Sequence, residues 1–329
     1  MTRTRWLIPG LLVGIVIALV AACLLGSVPL PPARMAAALL GFGPPGDMLV
    51  VWQVRLPRAL SALVAGGALG LSGAALQGLL RNPLAEPGVL GVSAMSALFA
   101  TVALFYGLAA FIPFALPLAA IAGALAATAI IAWAAPRTRS VVTLILVGVG
   151  ISSFSGAIMS LLMNLAPNPF TLADMVTWMM GSVANRSLDD LALSGPFIAA
   201  GAALLIAGRR GLTALALGEE AAAGVGLDVA RQRMLVVLGA GLATGGAVAL
   251  AGAIGFVGIV APHLVRPWVG HDPARVLVPS ALLSGLILIL ADITVRIIPG
   301  DTELKLGVVA ALIGAPVFVM IAIRRGAVR

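Results

Sequence analysis

Few side chains in this sequence could carry out chemistry, and their types exclude the commonest kinds of active site. The chain has 329 residues with two histidines, one cysteine and a single lysine, Lys305. A P-loop needs Gly-Lys-Ser/Thr, so the chain has no ATP site of that type. Cys23, His263 and His271 are too few for a disulfide or a Cys/His metal cluster. We therefore predict that the chain is not an enzyme, that it binds no metal or cofactor, and that both histidines are structural.

One motif does suggest a nucleophile. Gly70-Leu71-Ser72-Gly73 matches the Gly-x-Ser-Gly pattern of intramembrane serine proteases, with His263 as the candidate base. Four-residue matches are common by chance in a Gly/Ala-rich chain, and small residues at helix spacing explain Ser72 as part of a packing face. An intramembrane serine protease therefore stays a remote alternative. The predicted packing faces are Gly66, Gly70, Gly73 and Ala74 in one helix and Gly241, Gly245 and Ala249 in another.

The composition places these residues in a membrane. Hydrophobic residues make up 61% of the chain, charged residues 10%, and the mean hydropathy is +1.14. One water-soluble core cannot bury so many apolar residues, so lipid must solvate much of the surface, which excludes a soluble enzyme. The net charge of +8 does not indicate nucleic-acid binding, because the basic residues lie singly between apolar runs and form no stripe.

The elements that position these residues are transmembrane helices. The apolar runs predict an all-α polytopic membrane protein, a single domain over residues 1–329 with ten transmembrane helices per subunit. Arginines near both ends place the N- and C-termini in the cytoplasm by the positive-inside rule. The run from Met234 to Val265 is too short for two full spans, so we expect one short or broken helix near 254–269, jointed at Gly252, Gly255 and Gly258.

The first apolar run has two interpretations. Residues 6–25 are long for a signal-peptide core and are interpreted as an uncleaved first span. Val20-Ala21-Ala22-Cys23 resembles a lipoprotein cleavage box, which is the alternative.

Three groups of polar residues break the apolar pattern. Arg55, Arg58 and Arg296 lie at predicted outer helix ends, where they either reach lipid headgroups or form a basic ring that captures acidic groups of an external partner. Segment 217–228 is too polar and too short to span the membrane. Its two glutamates after Gly218 predict the start of a short helix on the inner face, which is either a docking surface or an ordinary amphipathic loop. Residues 81–88 contain two prolines that predict an ordered inner turn.

At these positions the sequence resembles the transmembrane permease family of type II ABC importers for iron chelates, haem and cobalamin. The resemblance runs from about residue 48 to residue 325, and several long motifs occur in the same order. They are Arg55-Leu56-Pro57-Arg58, Asn82-Pro83-Leu84-Ala85, Leu217-Gly218-Glu219, the segment from Ala251 to Gly258 with Pro262-His263, Ala291-Asp292 and Gly314-Ala315-Pro316.

The resemblance implies partners and roles. It implies a homodimer in the bacterial inner membrane, two ATP-binding cassette subunits that hold ATP and Mg on the cytoplasmic side, and a periplasmic substrate-binding protein. Arg55, Arg58 and Arg296 would pair with carboxylates of the binding protein. Segment 217–228 would be the cytoplasmic coupling helix, with Leu217, Gly218, Glu219, Glu220, Ala221 and Gly226 against the ATPase. The gate would comprise Asn82, Leu84, Ser140, Val141 and Val142.

The cargo and its path are less specified. Valines stand at 141 and 142 where a cobalamin permease carries hydroxyls, so a metal chelate other than cobalamin is expected, with haem favoured or a ferric siderophore, and cobalamin as the alternative. Met159, Met163, Met179 and Met180 either make soft contacts along the path or pack in the core. An ion-coupled secondary transporter is a remote alternative, because Asp292 is the only acidic candidate in a span and stands four residues from Arg296, in reach of an intrahelical pair.

Overall fold

A computed structural model describes residues 2–26, 30–137, 141–298 and 303–326. Within these ranges the regular secondary structure is helical, as the composition predicts. The helices in chain order are α1 (Thr2–Leu24), α2 (Pro32–Leu39), α3 (Pro45–Leu49), α4 (Leu56–Leu79), α5 (Val92–Phe105), α6 (Ala115–Ala134), α7 (Val141–Asn164), α8 (Pro169–Met179), α9 (Leu188–Ala207), α10 (Arg209–Leu215), α11 (Glu219–Gly224), α12 (Val229–Ala251), α13 (Val257–Val265), α14 (Pro273–Ile297) and α15 (Leu306–Gly326).

Seven of the helical segments in the described ranges are long and apolar enough to cross a membrane. Two further apolar helical segments are shorter, α5 and the Leu306–Val317 part of α15. Helix length alone therefore does not confirm the ten predicted spans. The seven segments are Arg5–Leu24, Pro45–Leu79, Ala115–Ala134, Val142–Asn164, Leu188–Ala207, Val229–Ala251 and Pro273–Ile297.

The core of the bundle is built around α4 and α12. Both helices are buried over most of their length, and α4 packs against α12, α13 and α14. Helices α1, α7 and α9 bury much less of their surface and present apolar side chains outward. A helix that is apolar all round and half exposed is stable only where lipid or another protein replaces water.

Small residues allow the central helices to approach closely. A Cβ atom added to Gly66 of α4 would lie 2.6 Å from the carbonyl oxygen of Ser284 in α14, and one added to Gly73 would collide with the backbone of Gly258 in α13. The predicted packing face on α4 is therefore confirmed. Ser72 is fully buried in this face and its hydroxyl has no hydrogen-bond partner among the described residues, so nothing in the geometry activates it as a nucleophile.

The predicted short helix near 254–269 is α13, nine residues long. Helix α12 ends at Ala251, Gly252 follows with φ +72°, and residues 252–256 are not helical. The backbone groups that lose their helical hydrogen bonds at this break bond instead to residues distant in the sequence. The backbone N–H of Ser182 donates to the carbonyl oxygen of Ala251 at 2.8 Å, and the N–H of Phe256 donates to Oε2 of Glu86 at 3.2 Å. Irregular backbone thus faces protein and not lipid.

Candidate functional site

Helix α14 connects two groups of residues that the sequence singles out. At its beginning lies segment 217–228, and at its end lie Arg55, Arg58 and Arg296. Near the first, the hydroxyl of Thr213 in α10 donates to Oδ1 of Asp272, the N-cap of α14, at 2.7 Å. Near the second, Asp292 and Arg296 occupy the last turns of the same helix. The two groups therefore lie at opposite ends of the bundle.

The helix predicted to begin at Glu219 is present as α11, and it occupies only residues 219–224 of the 217–228 segment. A glycine with a positive φ stands on each side of α11. Gly218 has φ +108° and Gly226 has φ +87°, values that residues with a side chain rarely adopt, so both turns require glycine. Nη2 of Arg233 lies 2.6 Å from both carboxylate oxygens of Glu219. Ala222 is fully buried. These contacts hold α11 in one orientation against the start of α12.

Exposed apolar side chains flank α11 at both ends. Leu217 is 75% exposed and Val225 is 73% exposed, while Glu220, Ala221 and Gly226 are also exposed. Apolar side chains that protrude from a polar end of a protein are typical of a protein interface. The arrangement can therefore bind another protein while Glu219 serves the internal ion pair.

Sequence reasoning missed α10, the element that links α11 to the bundle. Helix α10 contacts both α4 and α14 and buries Gly211, Leu212 and Leu215. Nε2 of Gln232 donates to the carbonyl oxygen of Gly208 at 2.7 Å, which joins the start of α10 to the start of α12. The signal available in the sequence was the pair Leu212 and Leu215, spaced three apart as on one face of a helix.

The three arginines at the other end are brought together, and their guanidinium groups are engaged inside the chain. Nε of Arg58 donates to Oδ1 of Asp292 at 2.8 Å, and Arg58 also pairs with Glu303. Nη2 of Arg296 lies 3.0 Å from Oδ2 of Asp292, which confirms the predicted intrahelical pair. Asp292 is therefore a buried carboxylate shared by two cations.

Arg55 takes a different role. Only 4% of it is exposed, and its Nη1 donates to the carbonyl oxygens of Cys23 and Leu24 at 2.7 and 2.9 Å. Nη1 of Arg296 donates to the carbonyl oxygen of Ala22 at 2.9 Å. The last carbonyls of a helix have no partner within it, and here two arginines supply them at the end of α1. Sequence reasoning had no signal for this, because the partners are main-chain groups.

The loop that joins α4 to α5 starts at the α11 end of the bundle, where Gly78 of α4 lies beside Leu212 of α10 and Pro273 of α14. Oδ1 of Asn82 accepts from the backbone N–H of Leu84 at 3.0 Å, which confirms an ordered turn, and Leu84 is exposed. A cavity of 160 Å³ lies beside Glu86, between this loop and residues 253–255. Burial raises the pKa of the Glu86 carboxyl, and the N–H of Phe256 opposes that rise.

Of the remaining predicted gate and path residues, those that the structure describes lie on α7, on α8 and in the turn after α8. Val142 is exposed near the start of α7, whereas Ser140 and the side chain of Val141 lie outside the described residues. Met159 is buried in the main hydrophobic cluster and Met179 packs against that cluster, as core residues do. Met163 is half-buried and Met180 is exposed. In the part of the chain that the structure describes, no group of three His, Cys, Asp or Glu could hold a metal ion.

Comparisons with known proteins agree over nearly the whole chain. The family model described as the FecCD transport family matches residues 12–324. The uncharacterized ABC transporter permease protein YvrB of Bacillus subtilis (strain 168) is 41% identical over 283 residues, which is 84% of this chain and 79% of that protein. The vitamin B12 import system permease protein BtuC of Salmonella typhi is 40% identical over 289 residues, 85% of this chain and 87% of BtuC.

A solved structure has the same fold as this chain. It is described as an inward-facing conformation of a metal-chelate type ABC transporter, is 31% identical, and matches with a TM-score of 0.84 over 97% of this chain and 99% of that one. This agreement and the family match confirm the resemblance found in the sequence. The chain belongs to the FecCD transport family and is an ABC transporter permease.

Proposed function

We propose that the chain is the membrane subunit of a binding-protein-dependent importer that moves a bulky metal chelate inward across the bacterial inner membrane. The observation that carries the proposal is the end-to-end match to a metal-chelate type ABC transporter. ATP and Mg are bound by two separate cassette subunits, since this chain has no Gly-Lys-Ser/Thr. No residue of the chain carries out covalent chemistry.

Cobalamin is the first cargo to test. The relatives named as vitamin B12 permeases are 40% identical to this chain, which supports cobalamin. The preference for haem or a ferric siderophore rests on one short loop, Ser140 to Val142, where valines replace hydroxyls. A loop of three residues is a weaker argument than similarity over 289 residues. Haem and a ferric siderophore therefore stay as candidates behind cobalamin.

We propose ten spans per subunit, with both termini cytoplasmic. The seven long apolar segments become ten crossings when α5, the nine-residue α13 and α15 are added. Residues 209–210, 231–233 and 266–275 then lie on the same side as both termini, so most arginines are cytoplasmic, as the positive-inside rule requires. The full chain is one permease domain that acts as a homodimer. Exposed apolar residues on α7 and α15, among them Leu146, Phe154 and Leu312, are available to lipid or to the second copy.

The coupling proposal follows the contacts of α11. Leu217, Gly218, Glu220, Ala221 and Gly226 would face the ATPase, while Glu219 fixes the helix through Arg233. Motion of the ATPase subunits would be transmitted by α10 to α4 and α14, which it contacts. The gate around Asn82 and Leu84 would respond because it directly follows α4. Packed helices switch between discrete arrangements, so a small shift at α11 can become a change of access.

The binding protein would dock at the opposite end. Arg58 is the best placed of the three arginines, because it lies beside exposed Glu303, whereas Arg55 and Arg296 serve the end of α1. A carboxylate of the binding protein would compete with Glu303 for Arg58. Such a partner exchange makes docking depend on ionic strength.

Reconstitution tests the proposal. The chain is placed in proteoliposomes with its ATPase, and the binding protein is added outside with cobalamin, haem or a ferric siderophore. We expect ATP-dependent uptake of one chelate. Uptake that continues without any ATPase would instead support the secondary transporter, and peptide cleavage that depends on Ser72 would support the protease.

A further inference from the structure

A crevice of 570 Å³ opens where three helices reach the same level at one end of the bundle. Its walls come from the first turns of α1, from α10 and from the first two turns of α14. The volume lies within the range of about 300–1,000 Å³ that is typical of small-ligand sites. Its lining includes Leu7, Ile8, Arg209, Arg210, Val278 and Asp272.

The level of the crevice is that of a membrane interface. Leu7 and Ile8 are the third and fourth residues of the apolar segment that starts at Arg5, and Ala274 follows the start of the segment at Pro273. Arg209 comes two residues after the apolar segment that ends at Ala207. Three spans therefore begin or end around one opening, with apolar side chains on the bilayer side and arginines on the aqueous side.

The charge in the crevice is positive and uncompensated. Among the described residues that line it, Asp272 is the one carboxylate, and that group is used internally. Its Oδ1 accepts from Thr213 at 2.7 Å and from the N–H of Ala274 at 3.0 Å, and its Oδ2 pairs with Arg275 at 3.2 Å. Arg209 and Arg210 have neither a hydrogen-bond nor an ion-pair partner among the side chains that the structure describes.

The apolar wall indicates that the ligand has a hydrocarbon part. Leu7, Ile8, Val269 and Val278 line the same crevice as the arginines. The wall continues into the outward face of α1, where Leu12 and Val13 are exposed. A free phosphate ion would use the guanidinium groups and leave this wall in water, whereas a lipid would cover both parts.

We propose that this crevice binds one anionic phospholipid, with the phosphodiester at Arg209 and Arg210 and the acyl chains against Leu7, Ile8 and Val278. Basic pockets between membrane helices on the cytoplasmic side recognise such headgroups. The lipid sits between α1 and α10, so it ties the peripheral α1 to the helix that carries α11. This site is separate from the transport path and from the surfaces of α11 and Arg58.

The test measures lipid retention by the full-length purified chain. Delipidated protein in detergent is mixed with equal amounts of phosphatidylglycerol and phosphatidylcholine, and bound lipids are counted by native mass spectrometry. We expect one retained phosphatidylglycerol. In the double variant Arg209→Gln with Arg210→Gln its affinity falls by about tenfold, whereas Arg231→Gln, an exposed arginine at the same end of the bundle, leaves retention unchanged.

A second variant separates a lipid from a free phosphate. Val278→Trp fills the apolar wall without altering charge and lowers phosphatidylglycerol retention, while the melting temperature of the variant shows that it is folded. Equal retention of the two lipids, or an equal loss with Arg231→Gln, overturns the proposal. Full competition by glycerophosphoglycerol or inorganic phosphate also overturns it, since that result means a phosphate site without a lipid. Retention lost only when the ATPase subunit is bound means that the crevice is an ATPase contact instead.

Discussion

Arg233 of α12 binds Glu219 of α11 through a single guanidinium nitrogen that lies 2.6 Å from both carboxylate oxygens. Glu219 was expected to face the ATPase, and the structure turns its charge inward, toward a nearly buried arginine. The ion pair therefore fixes the orientation of α11 and, with it, the position of exposed Leu217 and Val225 at its two ends. Its neighbour Glu220 has no such partner among the described residues and is exposed.

We expect Glu219→Gln to lower the free energy of unfolding by about 1–3 kcal/mol, because it leaves a nearly buried guanidinium without its anionic partner. The same change, and more strongly Glu219→Arg, uncouples ATP hydrolysis from uptake. Thermal unfolding of the purified chain and the ratio of substrate moved to ATP hydrolysed measure the two effects. Glu220→Gln is the matched control for stability. Wild-type uptake and stability in Glu219→Arg would contradict the role of the pair.

We expect substitutions of Arg55 and Arg58, at the other end of α14, to have different effects. Arg55→Gln removes buried hydrogen bonds to two carbonyl groups and lowers the free energy of unfolding by about 1–3 kcal/mol. Arg58→Gln takes one of two cations from buried Asp292 and so lowers stability as well, but it alone weakens association with the binding protein, and that effect shrinks as salt is raised. Melting curves and pull-downs at low and high salt distinguish the two. A pull-down that is equally weakened by Arg34→Gln, an exposed arginine between α1 and α4, would mean that only general charge matters.

Glu86 provides a pH-dependent test. Burial raises the pKa of its carboxyl, so the folded protein holds that proton more tightly than the unfolded chain does. Its favourable contribution is present below the unfolded pKa of about 4.3 and is lost as pH rises through the folded pKa. Glu86→Gln keeps an oxygen for the N–H of Phe256 and removes the charge. We expect its melting temperature to exceed that of the parent at neutral pH, with the difference gone at pH 4. An advantage that persists unchanged at pH 4 would contradict this explanation.

The close approach of α4 and α14 predicts that even a methyl group is harmful at Gly66. A Cβ there would be 2.6 Å from a backbone oxygen that cannot move aside, so Gly66→Ala should cost about 1–3 kcal/mol or more. Gly156→Ala in α7 is the control, because a Cβ at that position meets open space. Detergent-solubilised yield and melting temperature measure both. A variant at Gly66 as stable as the control would be inconsistent with the packing described.

The sequence was informative wherever a local rule applied. The helix at Glu219 follows a glycine and begins with two acids, the break after Ala251 follows from a run too short for two spans, and Asp292 with Arg296 follows from a spacing of four. The contacts that could not be predicted from the sequence involve partners far along the chain. Arg55 binds carbonyl groups 31 and 32 residues away, and Glu86 binds a backbone N–H 170 residues away. Every residue type carries the same main-chain groups, so the sequence cannot indicate which of them a side chain will bond. Only the fold brings the two together.

The break between α12 and α13 bears on how the protein is made. A helix of nine residues falls well short of the roughly 20 apolar residues that a segment needs to enter a bilayer on its own. The N–H of Phe256, just before α13, donates to Glu86, and the carbonyl oxygen of Ala251, at the end of α12, accepts from Ser182; both partners precede α13 in the chain. During biosynthesis we therefore expect α13 to take its place only after α4 and the loop that carries Glu86, both of which precede it in the chain.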